Sequence, residues 1–292
     1  MANLKEIRNR ITSISSTMQI TSAMKMVSAA KLKRAQDAVT QMRPYAGKLQ
    51  EILENLSATL DLSENAYTDK REVKNVLIVG ITSNRGLCGG FNNNIIKRVN
   101  LLVEGEYKDM NPMVLCLGKK IRDVVRKTGR NYSNYTLAAV PDIFNELNFE
   151  NASAIGANLM DIFNAKEFDK IVIVYNSFIN AGAQLVKTEQ FLPVVPTVQE
   201  ANSTGAGDYF FEPSKVEIVE ELIPKSLKIQ LYKALLDSSA SEHGARMTAM
   251  HKATDNANDL RRDLKLSYNK ARQAAITNEI LEIVGGAEAL NG

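Results

Sequence analysis

Apolar residues recur at alternating steps of three and four along the C-terminal part of the chain, from Arg246 to Val284. This stretch contains no proline and only small or polar interruptions of the repeat. A seven-residue repeat of this kind predicts a helix that supercoils against another helix. The predicted contact positions are apolar except Ser267, and they are Met250, Ala253, Ala257, Leu260, Leu264, Ser267, Ala271 and Ala274.

The N-terminal stretch carries a matching repeat, and no proline or glycine occurs in it before Pro44. Asn3 followed by Glu6 has the spacing of a capping box, which predicts that a helix begins almost at the first residue. We therefore expect the two ends of the chain to pair with each other. The N-terminal contact positions are Leu4, Ile7, Ile11, Ile14 and Met18, and after an interruption Leu32, Ala35, Val39 and Met42.

In that interruption the apolar positions move by one, to Ile20, Met24 and Val27. One interpretation is that this methionine-rich face turns toward a partner other than the second helix. The alternative is that Thr21 and Ser28 are simply small residues of the same seam. Periodicity alone leaves both open.

The middle of the chain has a different pattern, in which short β-branched runs alternate with amphipathic segments. The runs 76–81, 113–117 and 171–175 predict buried strands, and 184–195 predicts an added edge strand. Alternating strands and helices favour a parallel α/β sheet. The predicted divisions are a helix over 1–60, an α/β domain over 75–197, a connecting segment over 198–224 and, after an interruption at Pro224, a helix over 225–287.

Composition and charge exclude several classes of function. The net charge of +3 from 36 basic and 33 acidic groups is too balanced to indicate nucleic-acid binding. Cys88 and Cys116 form no CxxC pair, so neither a disulfide framework nor a zinc site is indicated. No apolar run approaches the roughly 18 to 20 residues that span a bilayer, and the N-terminus is unlike a signal or transit peptide.

The glycine-rich loop Gly86–Gly90 follows a predicted strand, where backbone N–H groups often bind phosphate. Its spacing matches neither GxGxxG nor GxxxxGK[ST], so a structural turn or docking loop is favoured over a nucleotide site. Cys88 in this loop has no histidine before His243 to activate it. His243 and His251 are eight residues apart, unlike a metal pair, and we predict ordinary helix residues. No enzyme active site is visible.

Residues 1–57 contain nine basic and four acidic residues, and further basic residues occur in the C-terminal stretch. They form either solvated helix faces or a cationic collar for acidic loops of surrounding proteins, and charge alone does not decide between the two. The residues concerned are Lys25, Lys31, Lys33, Arg34, Arg246, Arg261, Arg262 and Arg272.

Several segments together resemble the gamma-subunit family of the F-type ATP synthases. The matching segments are 20–31, ITSAMKMVSAAK; 85–92, RGLCGGFN; 246–257, RMTAMHKATDNA; 268–279, YNKARQAAITNE; and 282–287, EIVGGA. The resemblance implies a long antiparallel coiled coil of N- and C-terminal helices with an inserted Rossmann-like α/β domain. It further implies a rotating shaft that couples proton flow to ATP synthesis at a hexamer of alpha and beta subunits.

The resemblance also implies partners and a location. The expected partners are the alpha and beta subunits, the epsilon subunit and the membrane ring of c subunits, with no nucleic acid and no cofactor of its own. Catalysis would belong to the beta subunits, and membrane association at the cytoplasmic face of a bacterial membrane would be indirect. A static coiled-coil adaptor is the distant alternative.

The family's functional positions carry over to named residues of this sequence. Met24 and Lys25 match the contact with an acidic loop of a beta subunit. Asn84 departs from the family's usual Asp in the glycine-rich loop. The remaining matches are Glu242, Arg246, Gln273 and Thr277 for coupling and shaft contacts, Tyr209 and Glu212 facing the membrane ring, and Arg85, Gly86 and Cys88 in the loop itself.

Overall fold

The computed structural model describes residues 4–57, 66–69, 71–133, 143–194 and 215–291. The chain divides into two compact units. The first unit consists of Met1–Ser28 and Met247–Gly292, and the second of Ala29–Arg246. Two long helices, α1 (Leu4–Ser57) and α5 (Lys215–Asn291), each contribute residues to both units.

In the first unit the two terminal helices pack against each other and run antiparallel. Arg8 Nη2 donates to the Tyr268 hydroxyl at 2.9 Å, and further along α1 the Thr254 hydroxyl donates to the Thr21 hydroxyl at 2.8 Å. Residue numbers rise along α1 from Arg8 to Thr21, while those of the partners in α5 fall from Tyr268 to Thr254. The two helices are therefore antiparallel. The predicted pairing of the two ends of the chain is confirmed.

Three of the eight predicted contact positions of α5 are exposed, namely Leu260, Ser267 and Ala274. Leu260 and Ser267 are exposed, whereas the next residues, Arg261 and Tyr268, are half-buried. The apolar repeat favoured the wrong neighbour because the true positions carry polar groups, which bond across or along the helices instead of packing as hydrocarbon. Met250 is buried as predicted.

The interruption of the apolar repeat in α1 is also occupied by small polar residues whose side chains bond within the helix. Thr21 and Ser28 are buried, and each hydroxyl donates to a carbonyl one turn earlier in its own helix. The seam therefore continues through small residues, while the apolar side chains of Ile20 and Val27 are exposed. The interpretation of Thr21 and Ser28 as small residues of the seam is confirmed, and the contact of the apolar face with a partner other than α5 stays a prediction.

The second unit contains a five-stranded sheet in the order β3-β2-β1-β4-β5. The pairs β1–β2, β1–β4 and β2–β3 are parallel, and β5 pairs antiparallel with β4 at the edge, so the sheet is mixed. The three buried strands and the edge strand are confirmed, and the short β3 was not predicted. The strands are β1 (Val76–Ile81), β2 (Pro112–Leu117), β3 (Asn131–Tyr132), β4 (Lys170–Asn180) and β5 (Ala183–Leu192).

Helices cover both faces of this sheet. One face packs on α2 (Phe91–Leu101), which continues as a π-helical turn over Leu102–Glu106, and on α3 (Lys119–Val125). The other face packs on α4 (Phe149–Asn164) and on α5. Because both faces are covered, all six residues of the central strand β1 are buried.

Two prolines lie inside helices. Pro44 is in α1, which continues to Ser57. Pro224 is in α5, so the predicted interruption there is wrong, and the helix begins at Lys215. Proline removes one backbone donor, and neighbouring packing by Ile223 and Leu227, both buried, retains the helix. No helix of the described residues is long and apolar enough to cross a membrane.

Candidate functional site

The glycine-rich loop leaves the carboxyl end of β1 and is organised by two buried polar residues. The Ser83 backbone N–H and hydroxyl both donate to Asn92 Oδ1, at 2.9 and 3.0 Å. Asn92 Nδ2 in turn lies 3.1 Å from the Cys88 sulfur. Leu87 and Gly89 have positive φ, which allows the loop to reverse direction before α2. The sequence Ser83–Asn92 therefore folds into a fixed turn at the end of the strand.

This loop lies where an α/β sheet usually binds its ligand. The chain leaves β1 toward β2 on one side, whereas β4 lies on the other, and crevices form at such switch points outside the carboxyl ends of the strands. Here α5 spans the two strand ends. The Ser241 hydroxyl donates to the Asn176 carbonyl of β4 at 3.0 Å, and Arg246 bonds the loop after β1.

Arg246 binds the loop through carbonyl oxygens. Its Nη2 donates to the Gly86 carbonyl at 3.3 Å and to the Arg85 carbonyl at 3.4 Å, and its Nε donates to the Gly86 carbonyl at 3.4 Å. A phosphate needs N–H donors, and carbonyl oxygens would repel it. The geometry therefore favours a structural turn that α5 of the same chain holds over a nucleotide site at Gly86–Gly90, and a docking role toward partners stays a prediction.

Arg246 also forms a buried ion pair with Glu242. Arg246 Nη1 lies 2.8 Å from Glu242 Oε1, and the two side chains are only 9% and 11% exposed. Burial raises the pKa of Glu242 above its ordinary value, against the opposing effects of Arg246, Lys31 and Arg85. The ion pair thus offsets the cost of desolvating the carboxylate and links α5 to the loop.

His243 lies beside the pair and is not an ordinary exposed helix residue. Its Nδ1 is 3.4 Å from Arg246 Nη1, and because arginine has only donors, Nδ1 accepts and the ring proton is on Nε2. Burial, together with the positive charges of Arg246 and Lys31, lowers the pKa of His243 to about 4. The imidazole is neutral at physiological pH and adds no charge to the cluster.

Cys88 is buried in the loop and is not set up as a nucleophile. Burial raises the pKa of its thiol, which the Ser83 hydroxyl and Arg246 only partly oppose. The thiol is therefore protonated at neutral pH and serves packing within the turn. Among the described residues, no group of three or more His, Cys, Asp and Glu side chains could hold a metal ion.

Asn84 keeps the hydrogen-bonding role that an Asp would have at this position. Its Oδ1 accepts from the Lys119 backbone N–H at 3.0 Å, at the start of α3. Either an amide or a carboxylate oxygen can accept this bond. The departure from the family pattern removes a charge from the loop and retains its attachment to the adjacent strand end.

The structure brings only part of the predicted set together. In the second unit Arg85, Gly86, Cys88, Glu242 and Arg246 form one cluster, which we call the loop latch. In the first unit the Thr277 hydroxyl donates to the Gln273 carbonyl at 2.9 Å on an exposed part of α5, and Met24 and Lys25 are half-buried on α1. The predicted ring-facing residues Tyr209 and Glu212 lie outside the described residues.

The predicted cationic collar divides in the same way. Lys31 acts on the buried pair in the second unit, and Lys33 pairs with Asp37 at 2.9 Å on an exposed face. Lys25 lies in the first unit, with its Nζ 3.3 Å from His251 Nδ1. These three lysines thus have separate local contacts, and a cationic collar for acidic loops of partners stays a prediction.

Sequence reasoning missed the polar residues with which α5 holds the strand ends. They follow one helix face: Asp237 accepts from the Ser177 hydroxyl at 3.3 Å, and Ser241 is one turn later. Asp237 is buried, and burial raises the pKa of its carboxyl group. The available signal was the run Asp237–Ser241, whose polar residues sit within an otherwise apolar helix face.

Comparison with known proteins identifies the family. A family model described as ATP synthase matches residues 3–290. A relative from Flavobacterium johnsoniae, an ATP synthase gamma chain, is 64% identical over 293 residues and is covered completely, as is this chain. The chain belongs to the ATP synthase gamma chain family.

Solved structures of relatives agree with this membership of the gamma chain family. A chain from the central stalk and c-ring of the Tetrahymena thermophila mitochondrial ATP synthase is 28% identical, with a TM-score of 0.57, and the match covers 80% of this chain and 99% of that one. A chain from the Euglena gracilis mitochondrial ATP synthase has a TM-score of 0.66 at 22% identity, covering 98% and 94%, and supports the fold.

Proposed function

We propose that this gamma chain is the rotating central shaft of a bacterial ATP synthase, coupling proton flow through the membrane sector to ATP synthesis. It is a non-catalytic subunit, and the catalytic sites belong to the beta subunits. The observation that carries the proposal is the full-length identity of 64% to a bacterial gamma chain. The Tetrahymena relative, from a central stalk with its c-ring, supports the same position for this chain.

The surface of the first unit supports a role inside a larger assembly. Large apolar side chains are exposed on α1 and on the last turns of α5, where solvent contact is unfavourable. We infer that alpha and beta subunits cover these side chains. They include Ile20, Met26 and Val27 on α1, and Ile276, Ile280, Leu281, Ile283 and Val284 on α5.

Residue roles follow from the family match. Met24 and Lys25 would contact an acidic loop of a beta subunit, and Gln273 and Thr277 would contact the hexamer. Tyr209 and Glu212 would face the ring of c subunits, and the epsilon subunit would be a further partner. We place the complex at the cytoplasmic face of the bacterial membrane, with the gamma chain attached through its partners.

The loop latch has a mechanical role in this proposal. Arg246 fixes the glycine-rich loop to α5 through Arg85 and Gly86, and Glu242 holds Arg246 in place. A torque carried by α5 would therefore reach the α/β sheet through these contacts as well as through the apolar core. The same residues that match coupling positions of the family thus have a structural reason for an effect on coupling.

Reconstitution tests the function. The isolated chain should lack ATPase activity, and adding it to alpha and beta subunits and the membrane sector should restore proton pumping driven by ATP. A chain lacking both 1–30 and 260–292 should bind less tightly and fail to restore coupled pumping. Full coupled activity from that truncated chain would refute the torque role of the paired helices.

Calorimetry of the isolated chain with ATP, ADP and NAD separates this proposal from a nucleotide-dependent enzyme. We expect no stoichiometric binding. Tight binding that is lost in a Gly89→Val variant would instead assign a ligand to the glycine-rich loop.

A further inference from the structure

Positive charge is concentrated on α3 and on the turn that follows it. Residues 119–130 contain six basic residues and one acidic residue, Asp123, which leaves 30 of the 36 basic and 32 of the 33 acidic residues for the rest of the chain. The net charge of +3 is therefore due to this one short stretch. We call its six cations the basic patch: Lys119, Lys120, Arg122, Arg126, Lys127 and Arg130.

The fold holds this stretch with its apolar side inward. Ile121 and Val125 are buried in the core between the helices and the sheet, and the Ile121 backbone N–H donates to the Thr82 hydroxyl at 3.1 Å. A 3-10 turn over Arg126–Thr128 ends the helix, and Gly129, with a φ of 70°, leads into β3. Because the apolar side of α3 is used inside the α/β domain, its charged side is left for solvent or a partner.

The chain itself does not neutralise the basic patch. Lys119, Arg126 and Lys127 are exposed, and the other three cations are half-buried. Among the described residues, none of the six forms an ion pair. The Arg130 guanidinium donates to the Val103 carbonyl at 3.5 Å, which fixes one end of the patch without cancelling its charge. Like charges this close repel one another, so a bound anion would relieve the repulsion.

The other side chains of this surface indicate which kind of anion fits it. Residues 119–130 all lie in the described part of the chain, and no large apolar side chain among them is exposed. The centres of protein–protein interfaces are apolar and depleted of charged residues, so this surface is unlike one. Clusters of about four to eight Lys and Arg residues on an amphipathic helix are instead typical of contacts with anionic lipid headgroups.

We propose that the basic patch is a contact site for anionic phospholipid headgroups at a membrane surface. Its ammonium and guanidinium groups donate to headgroup phosphate oxygens, and Ile121 and Val125 stay in the core of the domain, so no side chain of α3 enters the hydrocarbon. The choice of a membrane rests on the proposed function, which places the chain at a bacterial membrane. The patch adds a direct and reversible contact to the attachment through partner subunits.

Sedimentation of the full chain with lipid vesicles tests the contact. The vesicles consist of phosphatidylcholine alone or of equal parts phosphatidylcholine and phosphatidylglycerol. We expect binding to the vesicles that contain phosphatidylglycerol, and little binding to the others. Binding should weaken as salt is raised from about 0.05 M to about 0.5 M, because salt screens an electrostatic contact that has no apolar insertion.

Replacing the three exposed cations together, by Lys119→Gln, Arg126→Gln and Lys127→Gln, should weaken vesicle binding on the order of 100-fold. Each cation near an anionic surface contributes about fivefold to the binding constant. Lys119→Arg with Lys127→Arg keeps the charges and should bind like wild type. A loss of binding in that charge-conserving variant would overturn the electrostatic contact.

A second triple variant is the matched control for net charge. Arg10→Gln, Lys33→Gln and Lys48→Gln remove exposed cations that are already paired with carboxylates in α1. Both triple variants lower the net charge from +3 to 0, so they differ only in where the charge is lost. The control should weaken binding by at most about threefold.

Equal losses in the two triple variants would overturn the inference, because binding would then follow net charge alone. Failure of the wild-type chain to bind phosphatidylglycerol vesicles at low salt would overturn it as well. Tighter binding to duplex DNA than to vesicles, at equal phosphate concentration and equal salt, would assign the patch to nucleic acid and not to a membrane. The vesicle assay uses the chain without its partners. Patch-dependent vesicle binding beside failed proton pumping in reconstituted complexes would therefore refute the proposed function and still support this contact.

Discussion

Replacing Arg246 by glutamine tests the loop latch most directly, because it leaves Glu242 without its partner. The Glu242 side chain is only 11% exposed, and its Oε1 lies 2.8 Å from Arg246 Nη1. Removing one partner of a buried ion pair costs about 3 to 5 kcal/mol. We expect the lower end for Arg246→Gln, about 3 kcal/mol, because Glu242 already has a raised pKa and can be protonated instead.

The pH dependence of this loss has a definite sign. Without Arg246 the pKa of Glu242 in the folded chain rises further above the unfolded value of about 4.3. Between those two values the folded state binds more protons, so the stability of the variant falls as pH rises. The loss relative to wild type should therefore be small at pH 4 and greatest at and above neutral pH.

The assay is urea denaturation of the isolated chain at several pH values, together with hydrogen exchange of the loop amides between Ser83 and Asn92. Glu242→Gln and the double variant complete a mutant cycle, and we expect a coupling energy above about 1 kcal/mol. Arg10→Gln is a matched control, because Arg10 and Glu6 have the same spacing and the same 2.8 Å distance but are 65% and 54% exposed. Its cost should be about 0.3 to 0.5 kcal/mol. Equal costs for Arg246→Gln and Arg10→Gln, or additive effects in the cycle, would refute the reasoning.

Three further substitutions have expected outcomes from single sites. Asp237→Asn should stabilise the chain by about 1 kcal/mol at pH 7, because burial raises the pKa of this carboxyl group and the substitution removes a buried charge. Since a raised pKa makes folding less favourable as pH rises, the gain should shrink in acid, which denaturation at pH 4 and pH 7 would measure. Gly118→Ala should cost about 3 kcal/mol or more by thermal denaturation, because Gly118 has a φ of 107° and a Cβ there would clash with the Thr82 carbonyl oxygen. Gly105 has open space around it and makes a control, and an equal effect of Gly105→Ala would contradict the steric argument. Asn84→Asp should change the free energy of unfolding by less than about 0.5 kcal/mol, because a carboxylate oxygen can still accept from the Lys119 backbone N–H. A large loss of stability in denaturation would show that the amide group matters.

The sequence by itself determined the elements and the family. Heptad spacing predicted the paired terminal helices, and β-branched runs predicted β1, β2 and β4, because these patterns come from local periodicity that each element shows on its own. The motifs around Met24, Gly86 and Arg246 were sufficient to indicate the gamma subunit family. The resemblance to that family named all five residues of the loop latch before any geometry was known.

Only the tertiary structure decided how those residues meet. Arg246 is 160 positions from Gly86, and Asp237 is 60 positions from Ser177, so no local pattern connects either pair. The same is true of the seam positions in α5, where Tyr268 replaces Ser267 because its hydroxyl accepts from Arg8 across the two helices. Contacts between distant segments depend on which side chains the folded chain desolvates together, and desolvation is also what gives Glu242, His243 and Asp237 their shifted pKa values.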